Sequence, residues 1–131
     1  LEQAGWEVLT KVLTTAGGQE LEDFRKRHGV GADGALDWKT FVEMKATGRG
    51  PAPSIEMSTT EFERAKKEGM GFMLALVSGL ETGEKLEVRL IFDPANRVSC
   101  KPTHGMRFYA LDEAPAAVVS FDEGGTEVGS P

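Results

Sequence analysis

In "TFVEMKATG", residues 40–48, Glu43 and Lys45 are two positions apart, and Asp33 lies ten residues before Glu43. Alternate residues of a β-strand share a face, so a strand here presents a carboxylate and an ammonium side by side. Carboxylates hold hard cations such as Mg²⁺ or Mn²⁺, and a cationic group beside them can orient or activate an attacking water. Metal-assisted hydrolysis of a phosphodiester needs that set. Asp33 and Glu43, with the main-chain carbonyl of Met44, are the candidate metal ligands, and Asp33, Glu43 and Lys45 are the candidate catalytic residues. An acid followed two residues later by lysine also occurs on ordinary solvated strand faces. Here Val42 and Met44 make the opposite face apolar, and Phe41 shares the face of the charged pair, so that face is not simply polar. Arg49, in the Gly-rich loop after Lys45, is the first candidate for a phosphate contact. "RKRH" at 25–28 adds Arg25, Lys26 and Arg27 as nucleic-acid-binding candidates, with a solvated helix end as the plainer reading.

Positioning these residues takes a strand over residues 40–46 and elements that cover its apolar side. Val8, Leu9, Val12 and Leu13 recur on one helical face, favouring a helix over residues 2–14 above a strand in "WEVLTKVL". Residues 19–28 read as a second helix with Leu21 and Phe24 inward and Gly29 as its stop. A short strand is expected near residues 30–37. "SIEMSTTEFERAKKEG" holds the clearest local signal: Ser58 and Glu61 form an S-x-x-E capping box, Met57 and Phe62 a hydrophobic staple, and Gly69 a helix end. "GFMLALVSG" is apolar throughout, as in a central strand covered on both faces. "EKLEVRLIF" alternates, with Leu86, Val88, Leu90 and Phe92 on one side and Glu87 and Arg89 on the other, and joins the previous strand as an antiparallel hairpin. "DPANRVSCKPTHG" reads as loop with a short strand at most, "MRFYAL" and "AAVVSF" as late strands, and residues 122–131 as a flexible tail. The fold class is α/β (α+β), a central mixed β-sheet flanked by helices.

The 131 residues suit one domain with its own core, over residues 1–121. The longest apolar run, residues 72–77, is far too short to span a bilayer, no signal peptide opens the chain, and no membrane partner is expected. Cys100 is the only cysteine, which excludes an internal disulfide and a cysteine zinc cluster and suits a reducing, cytoplasmic setting. The net charge of −6 argues against tight non-specific DNA binding through phosphates alone, although ten of the fifteen Lys and Arg fall in residues 1–70. A local basic rim or a bound cation can still engage phosphate. His104 and Trp38 read as a turn residue and a packing residue.

"GADGALDWKTFVEMKATG", then "SIEMSTTEFERAKKEG" and "FMLALVSGL", resembles the bacterial domain family named for the C-terminal domain of the plant protein NO VEIN, whose members are similar to PD-(D/E)xK restriction-endonuclease-like proteins. The similarity spans roughly residues 29–92. It places a Gly-x-Asp element on Gly31 and Asp33, Glu-x-Lys on Glu43 and Lys45, the capped helix on Ser58, Glu61 and Ala65, and the following strand on residues 72–77. Asp37 competes with Asp33 as the first acid, and Asp33 is preferred because a tight hairpin needs room before the Glu strand. The resemblance implies a restriction-endonuclease-like fold and a Mg²⁺- or Mn²⁺-dependent nuclease acting on DNA, with a helix acid (Glu7, Glu20 or Glu22) sometimes completing the site. It further implies a place beside ATPase- or helicase-like modules at the end of a longer chain, in bacterial defence or DNA processing. The alternative is a catalytically inactive module that binds nucleic acid or protein, and the blandest is a structural interaction domain.

Overall fold

The computed structural model describes residues 2–28, 41–81, 85–121 and 127–129. Asp33, Asp37, Trp38 and the strand expected near residues 30–37 lie outside them. The chain opens with α1 (Glu2–Thr15) and α2 (Gln19–His28), then β1 (Phe41–Ala46), β2 (Ser54–Met57), α3 (Thr59–Glu68) and β3 (Phe72–Ser78). It continues through β4 (Leu86–Phe92), the single turn α4 (Pro94–Arg97), β5 (Ser99–Pro102), β6 (Met106–Tyr109), β7 (Ala117–Phe121) and β8 (Glu127–Gly129). Five strands form a mixed sheet in the order β1-β3-β4-β7-β8, and three form a second sheet in the order β2-β6-β5. Among the described strands, β1 and β3 run parallel and the other pairs are antiparallel. A parallel pair needs a long crossover, and β2 with α3 supplies it. No helix among the described residues is long and apolar enough to cross a membrane.

The main sheet is covered on both faces, so the chain has two cores. Met73, Ala75 and Val77 of β3 and Val88, Leu90 and Phe92 of β4 pack against Leu9, Val12 and Leu13 of α1 and Leu21 and Phe24 of α2. Phe72 and Leu74 point the other way, into Ile55, Met57, Ala65, Ile91 and Phe108, contributed by α3, β4 and the second sheet. This explains the uninterrupted apolar run of β3: a strand with a core on each side has no polar positions to offer. β4 places its even-numbered side chains in the first core as expected, but the alternation stops at Leu90: Ile91, on the face of Glu87 and Arg89, is fully buried in the second core.

α1 settles close on the back of β1 because residue 5 is glycine. A Cβ there would lie 2.9 Å from the Met44 Sδ and 3.0 Å from the Ala46 Cβ. The capping box forms as read: Ser58 Oγ accepts from the Glu61 N–H at 3.1 Å, and Glu61 Oε1 accepts from the Ser58 N–H at 2.8 Å. Lys66 and Lys67 in the last turn complement the helix dipole, and Gly69 takes a φ of 54° at the end. Ser58→Ala is expected to cost about 1 kcal/mol, the usual loss of an N-cap oxygen, as a lower urea midpoint with an unchanged m-value; Ser58→Thr keeps the acceptor and most of the stability.

Three features differ from the sequence reading. "SIEM" is a strand, its Ile55 and Met57 buried and its Ser54 and Glu56 outward, a period-2 pattern only four residues long beside a stronger helix signal. The late strand "MRFYAL" belongs to the second sheet, not the central one. Residues 127–129, expected as tail, pair with β7 as β8. Backbone hydrogen bonding to an open strand edge holds such a segment without the apolar area that a sequence pattern would reveal.

Candidate active site

β1 carries its even-numbered side chains toward α1 and its odd-numbered ones toward α3 and the second sheet. Val42 and Met44 pack on the first core. On the other face Phe41, Glu43 and Lys45 follow one another, level with Phe72, Leu74 and Leu76 of β3. The charged pair therefore stands beside the second core where that core ends. Lys45 Nζ lies 3.2 Å from Glu43 Oε1, and both side chains are part-buried. An ion pair with this exposure stabilises by about 1 kcal/mol or less, so stability alone gives little reason for it.

A third group completes the cluster. The first turn of α3 brings Glu61 beside Glu43, close enough for each carboxyl to shift the protonation of the other. Burial first, and then the Glu61 carboxylate, push the Glu43 carboxyl above its ordinary value, while the Lys45 ammonium pulls the other way. Glu61 moves below its ordinary value, because it accepts from Glu43 and from the Ser58 backbone N–H. Pairs of acids whose environments separate their protonation in this way characterise acid–base and metal sites. Glu61 was accounted for by its capping role, yet a carboxylate has lone pairs enough to cap a helix and face a second acid. The sequence signal for it was the capping box itself, which placed the residue at the N-terminal end of a helix crossing β1.

The other expected residues fall as follows. The Met44 side chain is packed under Gly5. The Thr47 N–H bonds the Val77 carbonyl at 2.8 Å, so by strand alternation the Met44 carbonyl points away from β3. Arg49 is exposed in a loop tied to the β3–β4 connection by Gly79 N–H to Arg49 carbonyl, 2.7 Å, and Glu81 N–H to Gly48 carbonyl, 2.9 Å. It stays near Lys45. Arg25 does not join the site. Its guanidinium donates to the Leu13 and Ala16 carbonyls at 3.2 and 2.9 Å, closing the C-terminal end of α1. The α1–α2 layer covers the sheet face opposite Glu43, so Lys26, although exposed, is on the wrong side as well; the side chain of Arg27 lies outside the described residues. Glu7 and Glu22 are exposed on the same layer and the side chain of Glu20 lies outside the described residues; among the described residues the helix acid that reaches Glu43 is Glu61.

Among the described residues no three His, Cys, Asp or Glu side chains gather as a metal cluster. Glu43 and Glu61 bring two carboxylates together, hard oxygen donors whose type fits a divalent cation such as Mg²⁺ or Mn²⁺.

The polarity of the pair has a measurable consequence without any metal. A carboxyl raised above its unfolded value contributes stability that is complete below the ordinary glutamate range and is lost as pH rises through the raised value. Glu61, held low, contributes stability above that range that is lost as pH falls through its lowered value. Glu43→Gln keeps a donor toward Glu61 and is never charged. In EDTA it is expected to raise the melting temperature at pH 7 by a few degrees, the shift that about 1 kcal/mol produces in a domain of this size, with the gain shrinking toward pH 4. A variant less stable than the parent at pH 7 would contradict the assignment.

Three searches, of family models, of curated proteins and of solved structures, find no match to this chain.

Proposed function

We propose that this domain hydrolyses DNA phosphodiesters with Mg²⁺ or Mn²⁺ at the Glu43–Glu61–Lys45 cluster. The observation that carries the reading is the convergence of two acids of opposite protonation tendency and a lysine on one face of β1, beside a core they do nothing to fill. Glu43, Glu61 and the Met44 carbonyl would hold the ion, with Asp33 as the further ligand that the sequence supplies. The bound cation would supply charge neutralisation at the phosphate and a more acidic water. Lys45, its Nζ next to Glu43, positions the attacking water by N–H donation and meets the charge that builds on the phosphate oxygens. The water oxygen bonds to phosphorus, giving up its proton to solvent, as the bond from phosphorus to the leaving sugar oxygen breaks and that oxygen takes up a proton from solvent. Arg49, in the loop that follows the same strand, meets a flanking phosphate.

A place beside ATPase- or helicase-like modules in one chain, in bacterial defence or DNA processing, belongs to the same proposal through the sequence resemblance. A second reading, binding without turnover, is favoured by one feature: Lys45 already pairs with Glu43 at 3.2 Å. The test is incubation of the full-length protein with plasmid and Mg²⁺ or Mn²⁺ beside the Glu43 and Lys45 variants, with a calorimetric Mn²⁺ titration. Lys45-dependent nicking supports hydrolysis, and cleavage that survives both substitutions rejects the site. Mn²⁺ binding without cleavage favours the second reading.

A further inference from the structure

A cleft of about 520 Å³ opens beside the acid–lysine cluster, with Lys45 in its wall. Its floor follows from strand register. Lys45 pairs with Leu76, and Leu76 pairs with Arg89, so the three lie in one row across β1, β3 and β4 on the same face. Neighbouring strands are about 4.8 Å apart, which puts the Lys45 and Arg89 backbones about 10 Å apart with Leu76 between them. The 51–53 segment, Pro-Ala-Pro, walls one side and Ala110–Asp112 contributes another. The volume suits a small-molecule-sized group.

The chemistry of the walls separates a base from a phosphate. Arg89 Nη2 lies 3.3 Å from Glu87 Oε1, and Glu87 and Asp112 both line the cleft, so the interior is no anion trap. Leu76, Leu111 and the two prolines offer apolar surface to a flat ring, while Thr47 and Ser78 can meet polar edges. Negative charge belongs at Lys45, next to the acids. At the other end of the β1 face, the Arg64 guanidinium stacks over the exposed Phe41 ring at 4.6 Å, a platform of the kind on which bases of single strands stack. From Phe41 to Lys45 is about 13 Å along the strand. Platform, acids and cleft thus follow one line.

Resting on the nucleic-acid reading of the cluster, we propose that the cleft takes one unpaired nucleobase adjoining the phosphate at Glu43 and Lys45, so that the preferred substrate is single-stranded or frayed DNA. A base reaches a concave pocket only after leaving its stack, at least cost when it is already unpaired. Reading a continuous duplex instead calls for an element that enters a groove, and the described residues here line a cleft.

The test is fluorescence anisotropy of the full chain with labelled oligodeoxythymidine of about a dozen residues, against the same strand annealed to its complement, with Ca²⁺ in place of Mg²⁺. Ala52→Trp fills the cleft from its wall, and Pro53→Trp does so from an exposed position that leaves the core untouched; circular dichroism checks both folds. The parent protein is expected to bind the single strand about tenfold or more tighter than the duplex, with both tryptophan variants losing most of that preference and Lys45→Ala weakening both forms. If Lys45→Ala weakens binding while a folded Pro53→Trp variant binds like the parent, the cleft assignment is overturned and the cluster stands. Equal affinity for the two forms overturns it too. No binding of either form, or binding indifferent to Lys45, overturns the nucleic-acid reading itself.

Discussion

Lys45→Ala is expected to reduce metal-dependent cleavage by about 10²–10⁴-fold, the range over which a positioned acid–base side chain acts, with the folded structure retained. Lys45 is part-exposed and its ion pair with Glu43 contributes little to stability, so the loss should appear in turnover and not in the melting curve. Removing the ammonium also removes the group that pulls the Glu43 carboxyl down. Metal binding by the variant should therefore weaken at mildly acidic pH and recover as pH rises, because the Glu43 carboxyl must lose its proton before it can hold a cation. Glu43→Gln should lose cleavage to a similar degree while gaining stability at pH 7. That opposition, less active and more stable, is the signature of a group held for chemistry, and a purely structural Glu–Lys pair would not show it. Single-turnover cleavage alongside thermal melts measures both. Equal rates for parent and variants would remove Glu43 and Lys45 from any catalytic role.

Phe108→Ala is expected to carry the largest effect on stability, about 3–5 kcal/mol, against a total of about 5–15 kcal/mol for a domain. Phe108 is fully buried on β6, packs its ring 5.9 Å from that of Phe62 on α3, and stands opposite Ile55 and Cys100 in the second sheet. Its side chain joins three elements, so the cavity left by its removal cannot be closed by the motion of one. The consequence reaches the site. α3 holds Glu61 against Glu43 only while its apolar side, Phe62 and Ala65, is seated in that core. The variant should lose cleavage beyond what its unfolded fraction explains, and urea unfolding with parallel activity measurements checks this. A loss below about 1 kcal/mol would mean that the second sheet is not anchored through Phe108.

Local chemistry makes α3, β3 and β4 readable from the chain alone. The capping box at Ser58 and Glu61 closes within one turn, and much of each strand's covering is written in its own periodicity: continuous for Phe72–Ser78, alternating for the first half of Leu86–Phe92, whose last three residues are buried on both faces. The face shared by Phe41, Glu43 and Lys45 is equally a local property, set by the alternation of a strand. Which residues meet across the chain is another matter. Glu61 faces Glu43 because α3 crosses over from β1 to the parallel strand β3, and nothing in the spacing of eighteen residues specifies that approach. Arg25 reads as a phosphate contact from its basic neighbours, yet it closes the end of α1 on the opposite face, since carbonyls left open there were its nearest partners. Arg89 reads as one half of an exposed pair, and only the register β1-β3-β4 lays it in a row with Leu76 and Lys45. Side-chain period is decided by neighbours one to four residues away and so survives in the sequence. Strand order, and the division of β6 and β7 between two sheets, depend on how two cores share the apolar residues, a balance summed over the whole chain that no short stretch contains.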